Sequence, residues 1–393
     1  MAQVIAEVSR TFNEFLLLPN RTRTDTSAAT VDLRAPLVRH IAGEASTIEL
    51  RTPFTSAIMQ AVSTPELAIA LARNGGLSFL HHNQPIQDQV AAVRQVKNVK
   101  AGSVTSDTDV RPDDNLGHQL VDAAERLRVG AGINTHDYRE RVPALLEAGA
   151  DALCFDSSDG YSDWQAQALT WVKKHYPEIP VGGGNVVDGE AFTFLAEAGA
   201  DFVKVGVGGG SICITRDQKG IGRGQASAVL DVAAARDAFR ERTGEYVPIC
   251  SDGGLAHDYH VALALAMGAD FVMMGRYFAR FDQAAGAKLP TRDGFVKEYW
   301  GEGSNRARNW QRYGQGGQGL VFEEGVDGYV PYAGDLDEGL ALTVAKLRTT
   351  MVSCGSRTLP EFRSTARLTL VSDQSFQESH ANVTVRDTPV TVS

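Results

Sequence analysis

Ala198-Gly199-Ala200-Asp201-Phe202-Val203-Lys204-Val205-Gly206-Val207-Gly208-Gly209-Gly210-Ser211-Ile212-Cys213-Ile214-Thr215-Arg216 carries, in one run, a helix end, a strand and a loop. Gly199 follows a helical stretch, Phe192 to Glu197, at a place that suits a left-handed glycine cap. The run Phe202 to Val207 is apolar enough to read as a strand buried on both faces. It breaks into glycines that tolerate positive φ and leave backbone N–H and C=O groups open to a ligand. Cys213 comes next, on a loop at a strand end, where a thiolate can be reached and used as a nucleophile. A buried structural cysteine is the alternative for any single Cys.

The same corner recurs at Ala148-Gly149-Ala150-Asp151 and Met267-Gly268-Ala269-Asp270, so equivalent helix-to-strand junctions repeat along the chain. Around them strands and helices alternate. The spacing predicts strands over Phe54 to Val62, Leu77 to Leu80, Arg128 to Ile133, Ala152 to Phe155, Pro180 to Val187, Phe202 to Val207, Val247 to Cys250 and Phe271 to Met274. Helices are expected at Pro65 to Arg73, Ile86 to Val96, Tyr138 to Glu147, Ser162 to His175, Phe192 to Glu197, Ala226 to Arg242 and Tyr259 to Met267. Parallel strands need such crossovers and bury both faces, which predicts an α/β fold, a (β/α)8 TIM barrel spanning residues 1–393 as one domain. A doubly wound open sheet is the other solution to this alternation. In a barrel, functional groups sit at strand C-terminal ends. Asp156, Ser157, Asp159, Asn185, the Gly206 to Cys213 loop, Ser251 to Gly254 and Gly275-Arg276 all fall there.

Composition bounds the partners. The chain has 393 residues, 43% hydrophobic and 22% charged, enough for a full core. Lys plus Arg is 38 against 48 Asp plus Glu, a formal charge of −10. That balance disfavours nucleic acid and anionic membranes as partners, and an anionic substrate would need a local cationic pocket. Four widely spaced cysteines without a C-x-x-C pair indicate neither zinc nor a disulfide framework, which fits a reducing cytoplasm. No uninterrupted apolar run approaches the ~18 residues of a membrane span.

Loops after strands seven and eight of such barrels often hold phosphate through backbone N–H groups. Gly253, Gly254, Gly275 and Arg276 lie in them, Ser211 adds a hydroxyl, and Asp252 suits a ribose diol. Tight turns alone would also use these glycines. Residues 282–330 are Gly-rich and aromatic and read as a long mobile flap. Residues 99–120 form a polar connector, Asp337 to Val352 a helix, and residues 353–393 a polar tail suited to pairing with another subunit. His81-His82-Asn83 reads as polar strand-end packing, not as a metal site.

The run Gly-rich turn, Ser, Ile, Cys, x, Thr resembles the active-site loop of the IMP dehydrogenase and GMP reductase family. Similar blocks include Gly130 to Ile133, Cys154 to Gly160, Gly220-Ile221-Gly222 and Glu323 to Val326. The chain looks most like the divergent IMP dehydrogenases whose loop reads Ser-Ile-Cys-Ile-Thr-Arg and whose flap reads Asn-Trp-Gln-Arg-Tyr. The resemblance implies NAD-dependent oxidation of IMP to XMP, with Cys213 as nucleophile and Thr215, Arg312 and Tyr313 serving hydrolysis. It implies IMP phosphate contacts at Ser211, Gly253, Gly254, Gly275 and Tyr299, ribose at Asp252, and the base along Ser56, Met59, Glu302, Gly303 and Glu324. Read singly, Ser56 and Met59 are packing residues. It further implies NAD at Asp156, Ser157, Gly206 and Gly208, with adenine between His136 and Trp164. Potassium would lie on carbonyls of Gly208, Gly210 and Cys213, completed by a neighbour in a homotetramer. The neighbour's usual Glu-Gly-Gly is replaced by Glu378-Ser379-His380, and the tandem CBS regulatory domain usually inserted within 99–120 is missing. GMP reductase shares the loop but lacks the Trp-Gln-Arg-Tyr flap. A non-catalytic nucleotide-binding barrel would need neither the thiol nor the flap pair, and an FMN-dependent barrel would share the phosphate loops.

Overall fold

Thr64 and Pro65 show how local sequence starts an element. The Thr64 hydroxyl accepts the Leu67 N–H at 3.1 Å, and Pro65 occupies the first turn, where a missing N–H costs nothing. The helix runs Pro65–Arg73 and stops at Asn74-Gly75, with Gly75 at φ +81°. This is α1 in a computed structural model that describes residues 2, 4–102, 118–307, 322–379 and 381. The strands are β1 Phe54–Ser56, β2 Leu77–Leu80, β3 Gly130–Ile133, β4 Ala152–Phe155, β5 Val181–Val186, β6 Phe202–Val205, β7 Ile249–Asp252 and β8 Phe271–Met274. Between and after them lie α2 Ile86–Lys97, α3 Tyr138–Ala148, α4 Asp163–His175, α5 Gly189–Glu197, α6 Gln225–Thr243, α7 Asp258–Ala266 and α8 Leu336–Ser353. The eight parallel strands pair in chain order, and β8 closes on β1 through Val272↔Phe54, Met273↔Thr55 and Met274↔Ser56. The barrel, not the open sheet, is the fold.

Its interior is plugged by phenylalanines. The Phe79 and Phe202 rings are 5.8 Å apart and the Phe202 and Phe271 rings 5.7 Å. Room for them comes from strand glycines: a Cβ at Gly182 would stand 2.1 Å from the Phe202 ring.

The repeated Gly-Ala-Asp corners have a shared job at the strand N-terminal ends. Gly149, Gly199 and Gly268 take φ of +97°, +101° and +122°. The carboxylates of Asp151, Asp201 and Asp270 each accept a backbone N–H from the preceding strand's start, Val129, Val181 and Ile249, at 2.9, 2.7 and 2.9 Å. Each also meets a cation: Lys97 for Asp151, Lys173 for Asp201, and Arg363 with Arg236 for Asp270. At the opposite, C-terminal ends, buried glutamines clamp strand carbonyls. Gln89 of α2 donates to Leu80 and Gly132, Gln165 of α4 to Gly184, and Gln225 of α6 to Val205.

Three expectations change. The first strand ends at Ser56, because Ala57 to Ser63 turn over the barrel mouth, with Val62 and Ser63 N–H both donated to the Met59 carbonyl. Within 282–330, Lys288–Thr291, Gly294–Trp300 and Asp327–Pro331 form a three-stranded antiparallel sheet. Alternating Phe295, Lys297, Tyr299 with Val296, Glu298, Trp300 is a strand pattern that the surrounding glycines obscured. In the tail, Leu359–Thr365 is a helix and Arg367–Leu370 pairs antiparallel with Phe15–Leu18 of the same chain, so this part closes on its own N-terminal segment. The described flanks of the connector form a neck: bridges join Lys100 to Arg126 and Val121 to Leu127, and Gly102 N–H reaches Gln119 Oε1 at 3.4 Å.

Candidate active site

Strand ends from β1 and β4 to β8 converge on a cleft at the barrel mouth with about 1060 Å³ of space, open to solvent. In ring order β8 and β4 lie on opposite sides of the barrel, with β6 between them. One end of the cleft is therefore built by the turns after β7 and β8, the other by the Asp156-Ser157-Ser158 turn after β4, and the Cys213 loop from β6 lies along it.

At the first end, Gly253 and Gly254 take φ of +82° and +73°. Gly275 leaves no room for a side chain, since a Cβ there would be 2.7 Å from the Tyr299 hydroxyl and 3.0 Å from Met59 Sδ. Arg276 lines this end and provides the local cation that an acidic chain needs for an anion. Tyr299 is buried, and burial first, then the Asp252 charge, raises its pKa, so its hydroxyl stays a donor. Glu302 and Gly303 also line the cleft; Glu302 accepts the Gln60 N–H, and Trp300 Nε1 donates to Gln60 Oε1 at 3.0 Å, seating the flap's base on the β1 turn.

The cysteine loop is stitched to the flap's return. Ile214 N–H donates to the Glu324 carbonyl at 2.9 Å, Val326 N–H to Ile212 at 3.0 Å, and Cys213 bridges Gly325. This brings Cys213 Sγ to 3.1 Å from Thr215 Oγ1, which donates to Glu324 Oε2 at 3.0 Å; Lys219 Nζ is 3.5 Å from Glu324 Oε1. A thiol, a hydroxyl and a carboxylate in sequence form a route for the proton that a thiol nucleophile must lose. The other strand cysteines differ: burial pushes the Cys154 thiol up to about 12 and Cys250 well above its ordinary value, leaving both neutral. The loop's shape depends on glycine at Gly206, with φ +139° and a would-be Cβ 2.2 Å from the Asp252 carbonyl oxygen.

The two cleft carboxylates on the barrel side share one buried cation. Lys204 is 1% exposed, and its Nζ lies 3.1 Å from Asp252 Oδ2 and 3.4 Å from Asp156 Oδ1. Asn185 Nδ2 donates to Asp252 Oδ2 at 3.0 Å and to the Gly206 carbonyl at 2.7 Å. Its buried Oδ1 has no partner among the described residues, which suits a ligand hydroxyl. His82 Nε2 stands 3.5 Å from Asp156 Oδ2, and no metal-holding cluster of His, Cys, Asp or Glu occurs among the described residues.

Of the residues expected at the site, the cleft gathers Cys213, Thr215, Ser211, Met59, Asp156, Ser157, Asp252, Glu324 and the glycines at 206, 208, 210, 253, 254, 275 and 303. Ser56 is not on its wall: its hydroxyl is fully buried, 2.6 Å from both Ser63 and Ser78 Oγ. His136 and Trp164 do not line the cleft either; both are exposed beyond β3 and β4, Trp164 to 75%. Arg312 and Tyr313 lie outside the described residues. Lys204 was missed, although a single charge inside an apolar strand was its visible signal. Gln60 and the clamping glutamines gave none.

A closed parallel barrel that carries a thiol loop after β6 and glycine turns after β7 and β8, all at the strand C-terminal ends, is the architecture of a (β/α)8 enzyme. Comparison with known proteins carries this further. A family model described as the IMP dehydrogenase / GMP reductase domain matches residues 9–382. The inosine-5'-monophosphate dehydrogenase of Tritrichomonas foetus is 44% identical over 495 residues, covering 98% of both chains. That alignment is longer than the 393 residues here, so it includes positions with no counterpart in this chain. The enzymes of the same name from Aquifex aeolicus and Cryptosporidium parvum are 28% and 32% identical, covering 80% of this chain in both cases and 85% and 82% of their own. The chain belongs to the IMP dehydrogenase / GMP reductase family.

Proposed function

We propose that this chain oxidises IMP to XMP with NAD through a covalent intermediate on Cys213. The observation that carries the mechanism is the Cys213–Thr215–Glu324 hydrogen-bonded chain inside a cleft walled by the turns after β4 and after β7 and β8. The IMP phosphate lies at the β7–β8 end, on Ser211, Gly253, Gly254, Gly275, Arg276 and Tyr299, where glycine backbone and Arg276 meet its charge. The ribose diol donates to Asp252, and the base extends past Met59 toward Glu302, Gly303 and Glu324. NAD supplies a hydride acceptor, and the residues present fit it: Asp156 and Ser157 line the far end, Gly206 and Gly208 lie on the loop along the cleft, and the Asn185 Oδ1 is an acceptor that suits a hydroxyl.

The Cys213 proton passes through Thr215 to Glu324, and the thiolate adds to C2 of the purine. The hydride on C2 leaves, and a thioimidate remains on Cys213. Water then adds at C2 and the thiol departs, so the sum is IMP plus NAD plus water giving XMP, NADH and a proton. Arg312 and Tyr313 activate that water from the flap in this reading, and His136 and Trp164 hold the adenine from their exposed positions. Carbonyls of Gly208, Gly210 and Cys213 would hold potassium. The Gly210 carbonyl already accepts the Cys213 N–H at 3.1 Å and keeps a second lone pair, so the ion would fix the loop that aims the thiol. The working form is a homotetramer in a reducing cytoplasm; among the described residues no helix is long and apolar enough to cross a membrane.

The test is NADH appearance on mixing protein, IMP and NAD, beside NADPH loss on GMP. NADH from IMP supports the reading. NADPH consumption on GMP with no NADH from IMP would replace it with the reductase.

A further inference from the structure

Lys204 is buried in the barrel between carboxylates from two different strands, Asp156 after β4 and Asp252 at the end of β7. Burial works against its charge, but Asp252 and then Asp156 outweigh that and hold its pKa above the ordinary lysine value. The groups facing it are few. Cys154 and Cys250 are neutral beside it, Asn185 donates to the same Asp252 oxygen, and His82 stands on the far oxygen of Asp156. A lysine has three donors and no acceptor, so one ammonium orients both carboxylates, and both line the cleft. In the reading above, the two carboxylates serve different ligands.

We propose that Lys204 is a positioning residue that links the two halves of the cleft, so that a change at the dinucleotide carboxylate is felt by the mononucleotide and the reverse. The link is electrostatic and short. If Asp156 loses its charge, the ammonium moves onto Asp252 and competes with the ribose hydroxyls for its lone pairs. Neutralising Asp252 sends the ammonium to Asp156 in the same way. Coupling of this kind between adjacent sites amounts to about 5-fold or more in affinity.

This rests on the assignment of Asp252 to IMP and Asp156 to NAD, and binding measurements separate the two ideas. IMP without NAD, and NAD without IMP, are titrated calorimetrically against the native protein, Asp156→Asn and Asp252→Asn. The assignment requires that each substitution weaken its own ligand. The coupling requires in addition that Asp156→Asn weaken IMP, and Asp252→Asn weaken NAD, by about 5-fold. Own-ligand losses with unchanged affinity for the other ligand would overturn the coupling alone; no own-ligand loss would overturn the assignment. In a Lys204→Met background the cross effects should vanish, and Lys204→Arg should restore them. Should Lys204→Met fail to fold, the two asparagine variants decide the matter by themselves.

Discussion

Replacing Thr215 with valine removes one hydroxyl and keeps the shape of a side chain that is 4% exposed. That hydroxyl bridges Cys213 Sγ at 3.1 Å and Glu324 Oε2 at 3.0 Å, so its loss cuts the proton route and leaves the Glu324 carboxylate, itself 5% exposed, with Lys219 at 3.5 Å. A hydrogen bond to a charged group is worth about 1.5–3 kcal/mol. At about 1.4 kcal/mol per factor of ten, kcat for NADH formation should fall about 10- to 150-fold. The IMP KM should move less than about 3-fold, because the ribose contact and all the phosphate contacts except Ser211 lie on other loops. Thr215→Ser keeps the hydroxyl and should stay within about 5-fold of native kcat. Steady-state NADH formation for the three proteins is the assay. Thr215→Val at native kcat, or Thr215→Ser as slow as Thr215→Val, would refute the relay.

Cys213→Ala should abolish NADH formation while calorimetry still detects IMP binding; equal loss of binding would argue against a nucleophile. Arg312→Ala should give a rapid burst of about one NADH per site, then slow turnover with nucleotide trapped on Cys213. Absence of the burst with both ligands bound would place Arg312 in the redox step. Gly206→Ala forces a Cβ to 2.2 Å from the Asp252 carbonyl at φ +139°, and should cost about 2–4 kcal/mol, seen as a Tm lowered by several degrees. For pH, burial and then the neighbouring His82 and Arg141 push His81 down to about 4, while the unfolded chain binds that proton near 6.5. The unfolded state therefore binds more protons between those values. Stability from this group is full above pH 6.5 and falls toward pH 4, by about 3 kcal/mol at most. His81→Gln should flatten that part of the Tm-against-pH curve, and an unchanged slope would discount the residue.

Elements governed by neighbours in sequence were legible. Thr64, Pro65 and Gly75 fix both ends of α1, and the Gly-Ala-Asp corners located three strands because a left-handed cap is a local event. The role of those aspartates was not legible, since each acts on a strand start many residues back. Val296 to Trp300 alternates as a strand should, but its partner Asp327–Pro331 lies beyond a long glycine-rich stretch. The apolar run after Ser56 looks like more strand until the Met59 carbonyl is seen to accept two turn bonds. At the site, Cys213 and the phosphate glycines carry their chemistry in their type and order. Lys204 acquires meaning only when β4 and β7 bring Asp156 and Asp252 to either side of it, and Ser56 loses its place at the cleft once Ser63 and Ser78 claim its hydroxyl.

The neck after α2 lies where that helix has run back from the mouth, on the side where β3 begins. Gly102 and Gln119 touch across it, and the bridges from Lys100 to Arg126 and Val121 to Leu127 close it below, so the two flanks are held together by their own contacts. A chain whose two ends meet is a natural splice point. A folded reporter or ligand-sensing module grafted between residues 102 and 118 would dangle from the far side, joined by a double tether that adds no strain to the strands. Such a chimera should keep turning over at the parent rate, and any signal the graft sends must travel the length of the barrel to be felt.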